Sequence, residues 1–387
     1  MKYILTLNAG SSSLKYSVYR TVDDGPLELR AVGQVDKIGS DEAMLILKHG
    51  GEKETRELGH ADHARAVEAI LETCAPHMQG APVAGVGHRI VHGGTLFDKP
   101  AVLNSDILSA LHRLVPLAPL HQPHNLAAVR AAMSSFPDAV QVGCFDTAFH
   151  RSQPWVDDTF ALPREYYDKG IRRYGFHGLS YDYITGELDR IDPEDHHRKT
   201  VVAHLGNGAS MCAIKGGKSV ASTMGFTALD GLPMGTRCGQ LDPGVLLYMI
   251  AQEGMGHNQI RDLLYTKCGL LGLSGISNDM RELEASSRRE AKEAIDYYVF
   301  RIRRELGGLT AAIGGLETLV FCGGIGENSA TIRAKVCEGM EWLGIEIDPE
   351  ANAACADVIS TGAVTVRVIR TDEELVIARA VDKALAA

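Results

Sequence analysis

Several absences narrow the function before any motif is considered. The 387-residue chain has two tryptophans, 6% aromatic residues and 14 prolines against 41 glycines, with no low-complexity linker. At 45% hydrophobic and 23% charged, the composition is that of a folded globular chain, neither disordered nor collagen-like. The longest apolar runs, such as 245–251, fall far short of the roughly 20 residues that cross a bilayer. Basic residues are nowhere concentrated, and the net charge is −10 with a pI near 5.8, which argues against nucleic acid and membrane as partners. The eight cysteines, at 74, 144, 212, 238, 268, 322, 337 and 355, include no C-x-x-C pair and read as reduced thiols. Residues 1–7 lack the apolar core of a signal peptide, so a cytoplasmic location is expected. No G-x-S-x-G elbow or cysteine–histidine signature is present, which disfavours a hydrolase with a covalent nucleophile. The pairs His60/His63 and His121/His124 lack the further ligands of a zinc site.

The length suggests two or three domains. Short apolar runs rich in β-branched residues predict strands at 3–7, 14–19, 83–91, 140–145, 200–205, 210–214, 318–322 and 364–368. Amphipathic segments predict helices at 63–74, 105–114, 181–189, 243–253, 260–267, 288–313, 329–343 and 373–387. Asp242-Pro243 and Asn328-Ser329 supply helix-start signals. The alternation argues for α/β layers. There is also an internal echo: residues 7–18 match 205–214 when Leu7 is aligned with Leu205, each copy reading as strand, tight polar turn, strand. This suggests a duplicated domain.

Three glycine-rich turns stand out: Asn8 to Ser13, Gly206-Asn207-Gly208, and Gly323 to Ser329. Small residues let successive backbone N–H groups close around a phosphate, and the third turn follows a predicted strand and opens a predicted helix. Two decoys fail or weaken. Gly217-Lys218-Ser219 ends like a Walker A loop but has Cys212 where that motif needs glycine, and Gly324-x-Gly326-x-x-Ser329 lacks the last glycine of a dinucleotide fingerprint. Arg89 in G-H-R-I-V-H-G-G and Arg237 in M-G-T-R-C-G sit among glycines, where a guanidinium fork suits carboxylate or phosphoryl oxygens. Asp146 ends an apolar strand, and His121, His177 and His204 adjoin glycine or proline. Together these residues fit phosphoryl transfer, a reaction of positioning and charge neutralisation.

Nine strings now carry a resemblance: N-A-G-S-S-S-L-K (8–15), G-H-R-I-V-H-G-G (87–94), A-P-L-H-Q-P-H-N (118–125), F-D-T-A-F-H (145–150), R-Y-G-F-H-G (173–178), H-L-G-N-G-A-S (204–210), D-G-L-P-M-G-T-R-C-G (230–239), G-G-I-G-E-N-S (323–329) and T-D-E-E-L-V-I-A (371–378). In this order, over essentially the whole chain, the sequence resembles the acetate kinases and the similar propionate kinases. The resemblance implies an α/β fold of duplicated actin-like, ribonuclease H-like domains (βββαβαβα) with the active site in the interdomain cleft. It implies a first domain at 1–148 plus 373–387, a second at 149–372, and a homodimer formed through the second.

By the same resemblance, Asn8 and Glu373 bind magnesium, or manganese in its place, and Lys15 approaches the nucleotide phosphates. Arg89 and Arg237 hold the transferring phosphoryl and the acyl carboxylate, His177 stabilises the transition state, and Asp146 is the essential carboxylate. Val91, Leu120, His121, Phe176 and Ala228 contact the acyl substrate. ATP or ADP is cradled by His204, Leu205, Gly206, Asn207 and Gly208, by Asp279, Met280 and Arg281, and by Gly324, Ile325, Gly326, Glu327 and Asn328. The implied reaction is reversible, magnesium-dependent formation of acetyl phosphate and ADP from acetate and ATP.

The chain departs from the family pattern at three places. T-P-L-E-G reads Thr227-Ala228-Leu229-Asp230-Gly231, R-S-G-D reads Arg237-Cys238-Gly239-Gln240, and G-T-S-H reads Gly178-Leu179-Ser180-Tyr181. Loss of the pocket proline at Ala228 enlarges the acyl pocket, and a methylene is discriminated by only about 1–3 kcal/mol, which keeps propionate or a broader short-chain acyl substrate as the alternative. Two readings from other classes are a nucleotide-binding regulator, which would bind ATP without acyl-dependent turnover, and an NAD-linked oxidoreductase built on the Gly324 turn.

Overall fold

In the computed structural model, residues 2–22, 25–78, 80–193 and 198–387 are described. The chain divides into two compact units, Met1–Phe149 with Asp372–Ala387, and His150–Thr371.

The first unit is built on an eight-stranded sheet. Its strands are β1 (Tyr3–Ala9), β2 (Ser13–Arg20), β3 (Glu28–Asp36), β4 (Ala43–His49), β5 (Glu52–Gly59), β6 (Val83–Ile90), β7 (Ala101–Val102) and β8 (Val140–Phe145), in the order β5-β4-β3-β2-β1-β6-β8-β7. The first five strands pair antiparallel in sequence, whereas β1, β6 and β8 are parallel, so the C-terminal ends of those three meet at one edge. Parallel central strands are covered on both faces, and β1 is buried along Tyr3, Ile4, Leu5, Thr6 and Leu7. One face packs on the helices His63–Cys74 and Gln122–Ser135, with Val86, Ile70 and Ala128 in a shared core. The helix Glu373–Ala386 lies on the other, close enough that a Cβ on Gly85 or Gly87 would stand 2.3 Å from Val381 or Ile377.

The second unit repeats the plan with five strands: β9 (Lys199–Leu205), β10 (Ala209–Lys215), β11 (Lys218–Ser222), β12 (Thr318–Cys322) and β13 (Thr365–Val368), ordered β11-β10-β9-β12-β13. The first three are antiparallel and β9, β12 and β13 parallel, so β9-β10-β11 matches β1-β2-β3 and β12-β13 matches β6-β8. The duplication is therefore present as topology. Its register differs from the alignment by sequence: β1 ends at Ala9 and β9 at Leu205, making these two equivalent, two residues from the Leu7 to Leu205 match.

Two further expectations change. The third glycine-rich turn is wound into a short helix, Gly323–Asn328, entered directly from β12 through Gly323 at φ 76°. The helix expected at 329–343 stops at Cys337, two residues before Gly339 at φ 70°, and a separate turn covers Glu341–Leu343. Ser329 caps that helix and Asp242 caps Pro243–Ala251, each accepting a backbone N–H.

Candidate active site

Strand register decides which side chains share a face. Residues two apart along a strand point the same way, so Arg89 continues the row of Gly85 and Gly87, the row facing the helix Glu373–Ala386. Parallel pairing sets Thr6 beside Gly87 and Cys144 beside Arg89, which puts Asn8 and Asp146 on that face as well. Glu373 opens the helix, and its first turn reaches the same edge.

The geometry is that of a charged cluster. Arg89 donates to Asp146 twice, Nε to Oδ1 at 2.9 Å and Nη2 to Oδ2 at 2.7 Å, and Nη1 donates to Asn8 Oδ1 at 3.2 Å. Its Nε lies 3.8 Å from Glu373 Oε2. The Asp146 side chain is almost fully buried, while Arg89 keeps a modest exposure. Burial works against the Arg89 charge, but Asp146 and Glu373 more than offset it, so the guanidinium stays charged. Burial raises the Glu373 carboxyl above its ordinary range; Arg89 pulls it back and Asp146 pushes it up again. Lys15 is exposed on β2, directly across from Asn8 in the ladder.

Two buried amides hold the backbone of this edge. Asn125 donates to the Ala9 carbonyl at 2.7 Å and accepts from Val91 N at 3.0 Å, tying the end of β1 to the segment after β6. Gln122 accepts from His92 N and donates to His92 O, pinning the next residue. Both lie in the A-P-L-H-Q-P-H-N string, which was read for His121. His121 and Leu120 are half-buried at the start of the helix Gln122–Ser135, and Val91 is buried.

In the second unit the hairpin turn Gly206 to Gly208 is the centre. A Cβ on Gly206 would lie 3.7 Å from Gly324 N; one on Gly208 would lie 2.9 Å from Arg237 Nη2 and 3.3 Å from His177 Nε2. Asn278 donates to Asn207 Oδ1 at 3.2 Å, bringing Asp279 and the helix Met280–Ala285 to the turn, and Ser329 Oγ bonds Glu284 at 2.5 Å. The three nucleotide segments expected from sequence are thus adjacent. Within them Leu205 and Met280 are buried, whereas Arg281, Gly324 and Asn328 are exposed and Ile325 is half-buried. Hydrogen bonds from Arg281 hold the Asp279 carboxyl down at about 2. Glu327 Oε1 accepts from Gly323 N at 2.9 Å and Thr371 N at 3.1 Å. Asn328 Nδ2 donates to Gly324 O.

Arg237 donates to the Ala228 carbonyl at 2.8 Å, and Asp230 pairs with Arg173 at 3.1 Å. Phe176 is buried, its carbonyl 2.9 Å from His150 Nε2. His177 and His204 stack with centroids 4.3 Å apart. His204 Nδ1 meets Ser180 Oγ at 2.8 Å. Gln240, standing where the pattern has aspartate, still offers an acceptor: Arg301 donates to its side-chain oxygen at 2.5 Å. Sequence reasoning missed Arg333, which is fully buried and donates to the carbonyls of Gly326 and Glu327 at 2.8 and 3.0 Å, satisfying the end of the Gly323–Asn328 helix.

The model of the Acetokinase family matches residues 3–379. An acetate kinase of Methylocella silvestris is 53% identical over 388 residues, covering 97% of this chain and 96% of its own. One of Nitrobacter hamburgensis is 48% identical, covering 98% and 95%. The crystal structure of Porphyromonas gingivalis acetate kinase superimposes with a TM-score of 0.90 at 39% identity over 100% of both chains. That of a propionate kinase from Francisella tularensis gives 0.92 at 34% identity over 98% of this chain and 99% of its own. The repeated sheet topology, the charged cluster at Arg89 and these similarities agree: the chain belongs to the acetokinase family, and it is a kinase.

Proposed function

We propose that this chain transfers the γ-phosphoryl group of ATP to acetate, reversibly, giving acetyl phosphate and ADP. The observation that supports this reading best is the Arg89 cluster with Asn8, Asp146 and Glu373, in a chain of this family. A carboxylate is already ionised at neutral pH, so the attacking oxygen needs no general base. It attacks the γ-phosphorus in line; the new P–O bond forms as the bond to the bridging oxygen breaks, and ADP leaves with that electron pair. The barrier is repulsion between two anions, and it is lowered by fixed positive charge. Arg89 and Arg237 carry that charge, and His177 donates from Nε2 to the phosphoryl oxygens. Asp146 orients Arg89 through two hydrogen bonds and takes no proton.

The donor set at this edge suits a hard divalent cation. An amide oxygen and two carboxylates face a single guanidinium at this edge. Asn8 and Glu373 would hold magnesium or manganese, which when bound neutralises phosphate charge and orients the oxygens. Lys15 joins the phosphates, and the segments around Gly206, Asp279 and Gly324 take the nucleotide. The apolar residues for the acyl group are Val91, Leu120, Phe176 and Ala228, with His121 next to Leu120 in the chain. Propionate is the second reading, supported by Ala228 in place of a proline and by the likeness to a propionate kinase structure.

Two copies pair through the helix Pro243–Ala251, none of whose residues is buried and whose Leu247, Tyr248 and Ile250 are more than half exposed. A cytoplasmic location fits a chain whose cysteines form no disulfide among the described residues and in which no described helix is long and apolar enough to cross a membrane. The test is acyl phosphate formation from ATP with acetate, propionate or butyrate at equal concentration, with and without a chelator. Highest kcat/KM with acetate and loss on chelation are expected. A propionate maximum moves the assignment to the second reading, and ATP binding without any acyl phosphate refutes both.

A further inference from the structure

His177 is gripped by side chains for which the reaction as written has no use. It precedes the helix Gly178–Ile191 in the left-handed region, φ 57° and ψ 24°, a conformation that a non-glycine residue holds only where its surroundings impose it. Its Nδ1 lies 2.9 Å from Ser210 Oγ on β10, and the same hydroxyl is hydrogen-bonded to Tyr181. Tyr181 is four residues along from His177, where one helical turn returns the chain, and its N–H donates to the His177 carbonyl at 3.1 Å. Its side chain is fully buried, with its ring edge-on to His150 at 5.6 Å. Burial keeps the Tyr181 phenol well above its usual range, so it remains a neutral O–H. At the other end of the imidazole, Nε2 faces the Gly208 turn beside Arg237.

Those contacts set a polarity. A neutral imidazole carries its proton on one nitrogen, and the hydrogen bond at one nitrogen decides the state of the other. In the neutral ring Nε2 meets an anionic phosphoryl group only as N–H, so Nδ1 then accepts, and the donor beside it is Ser210. The serine has one proton; having given it to Nδ1, its oxygen is free to accept from Tyr181. The reverse polarity would aim an Nε2 lone pair at the anion.

We propose that Tyr181 and Ser210 are positioning residues for phosphoryl transfer, donating in series, Tyr181 to Ser210 to His177 Nδ1, to fix His177 as the Nε2–H tautomer in the orientation the reaction needs. The proposal rests on the phosphoryl-transfer reading of His177. Tyr181 occupies a position where the chain leaves the family pattern G-T-S-H, so the relay is written in this sequence itself. No proton passes along it during turnover; its effect is orientational.

The test uses the full chain with Tyr181→Phe, Ser210→Ala, Ser210→Thr, His177→Ala and the double variant His177→Ala/Tyr181→Phe. Removing the partner that orients a metal-bound histidine costs about 10–100-fold, and a loss of the same order is expected in kcat for Tyr181→Phe and Ser210→Ala, with KM for ATP and acetate within about threefold. Ser210→Thr, which keeps the hydroxyl, restores kcat. In the His177→Ala background, Tyr181→Phe has no further effect, because it acts through the missing ring. Nitrogen-15 spectra of the imidazole show the Nε2–H form in the parent and a tautomer mixture in Tyr181→Phe. Wild-type kcat in both Tyr181→Phe and Ser210→Ala, with activity lost in His177→Ala, overturns the relay and leaves the reading of His177 standing. Full activity in His177→Ala removes that reading and the relay with it. An equal loss from Tyr181→Phe in both backgrounds assigns Tyr181 to structure alone and overturns the proposal; if Tyr181→Phe does not fold, the two Ser210 variants decide.

Discussion

The substitution Gly87→Ala tests whether the close seating of the last helix sets the active-site charge geometry. A Cβ at position 87 would stand 2.3 Å from Ile377 Cγ2 and 2.8 Å from Val381 Cγ2. Ordinary carbon contacts begin near 3.5 Å, so the helix must retreat by roughly 1.2 Å at Ile377. Both obstructing atoms are methyls on β-branched side chains, which are stiff at χ1 and cannot swing aside cheaply. Glu373 lies four residues before Ile377, on the same side of the helix, and moves with it. Overpacking of this kind costs about 1–3 kcal/mol, which lowers Tm by roughly 2–12 °C in a domain of this size. A misplacement of about 1 Å can cost 10²-fold in rate. The expected result is therefore a kcat fall near 10²-fold, with more magnesium needed for half-maximal activity. Adding Ile377→Ala removes the colliding methyl and returns at least tenfold of the loss. Gly307→Ala, where a Cβ meets nothing within 4 Å, is the control and leaves kcat unchanged. If Gly87→Ala keeps Tm within 1 °C and kcat within twofold, the helix does not set the position of Glu373 and the reasoning fails.

Asp146→Asn keeps the shape of the buried partner of Arg89 but removes its charge; kcat should fall about 10²–10³-fold, and a fall of less than threefold at saturating substrate would show that Arg89 is oriented by something else. Burial holds His88 and His150 down at about 4, whereas unfolded histidine titrates near 6.5. The unfolded chain therefore binds the extra protons, and the contribution of each ring is complete above pH 6.5 and lost as pH falls through 4, at about 1.4 kcal/mol per pH unit. Urea midpoints at pH 7 and 5 should diverge less in His88→Gln than in the parent, and equal divergence would contradict this. Ala228→Pro restores ring carbons while leaving the carbonyl that receives Arg237; relative to acetate, kcat/KM for propionate should fall about tenfold or more, and an unchanged ratio would remove Ala228 from the acyl contacts.

The α/β class, the duplication and most central strands were legible because β1, β6, β8, β9 and β12 are short apolar runs covered on both faces. The expectations passed over β3, β4, β5, β7 and β11. In β5 the sequence E-K-E-T-R-E-L-G is almost wholly exposed and charged, as befits the edge of a sheet, so its pairing with β4 leaves no hydrophobic trace. The segment Lys218–Ser222 was masked by its own glycine turn, which imitates part of a phosphate loop although it joins β10 to β11. Positions of Arg89, Asp146 and Glu373 follow from strand register and helix seating, and no local pattern gives either. The amide of Asn125 meets the Ala9 carbonyl across 116 residues of chain, and the buried Arg333 sits in a helix whose sequence looks unexceptional. Such residues satisfy backbone groups that only the tertiary fold exposes.

The duplicated frame also explains why the two halves carry different kinds of chemistry. At the ends of equivalent strands, β1 carries Asn8 and β6 carries Arg89, whereas β9 carries His204 and β12 runs into Gly323. In the first unit, then, the sheet edge presents charged and amide side chains held by buried hydrogen bonds. In the second it presents glycine turns and a short helix, with the side chains of Arg237 and His177 beside Gly208. Side-chain charge can follow a reacting centre and be tuned by its neighbours, while backbone amides give a fixed cradle that no single substitution removes. A kinase for a small carboxylic acid needs both: a fixed grip on a polyphosphate common to many reactions, and an adjustable charge cluster for the one bond that moves. On that division, substitutions at Arg89, Asp146 or Glu373 act on kcat, whereas adding side chains at Gly206 or Gly324 acts on nucleotide KM.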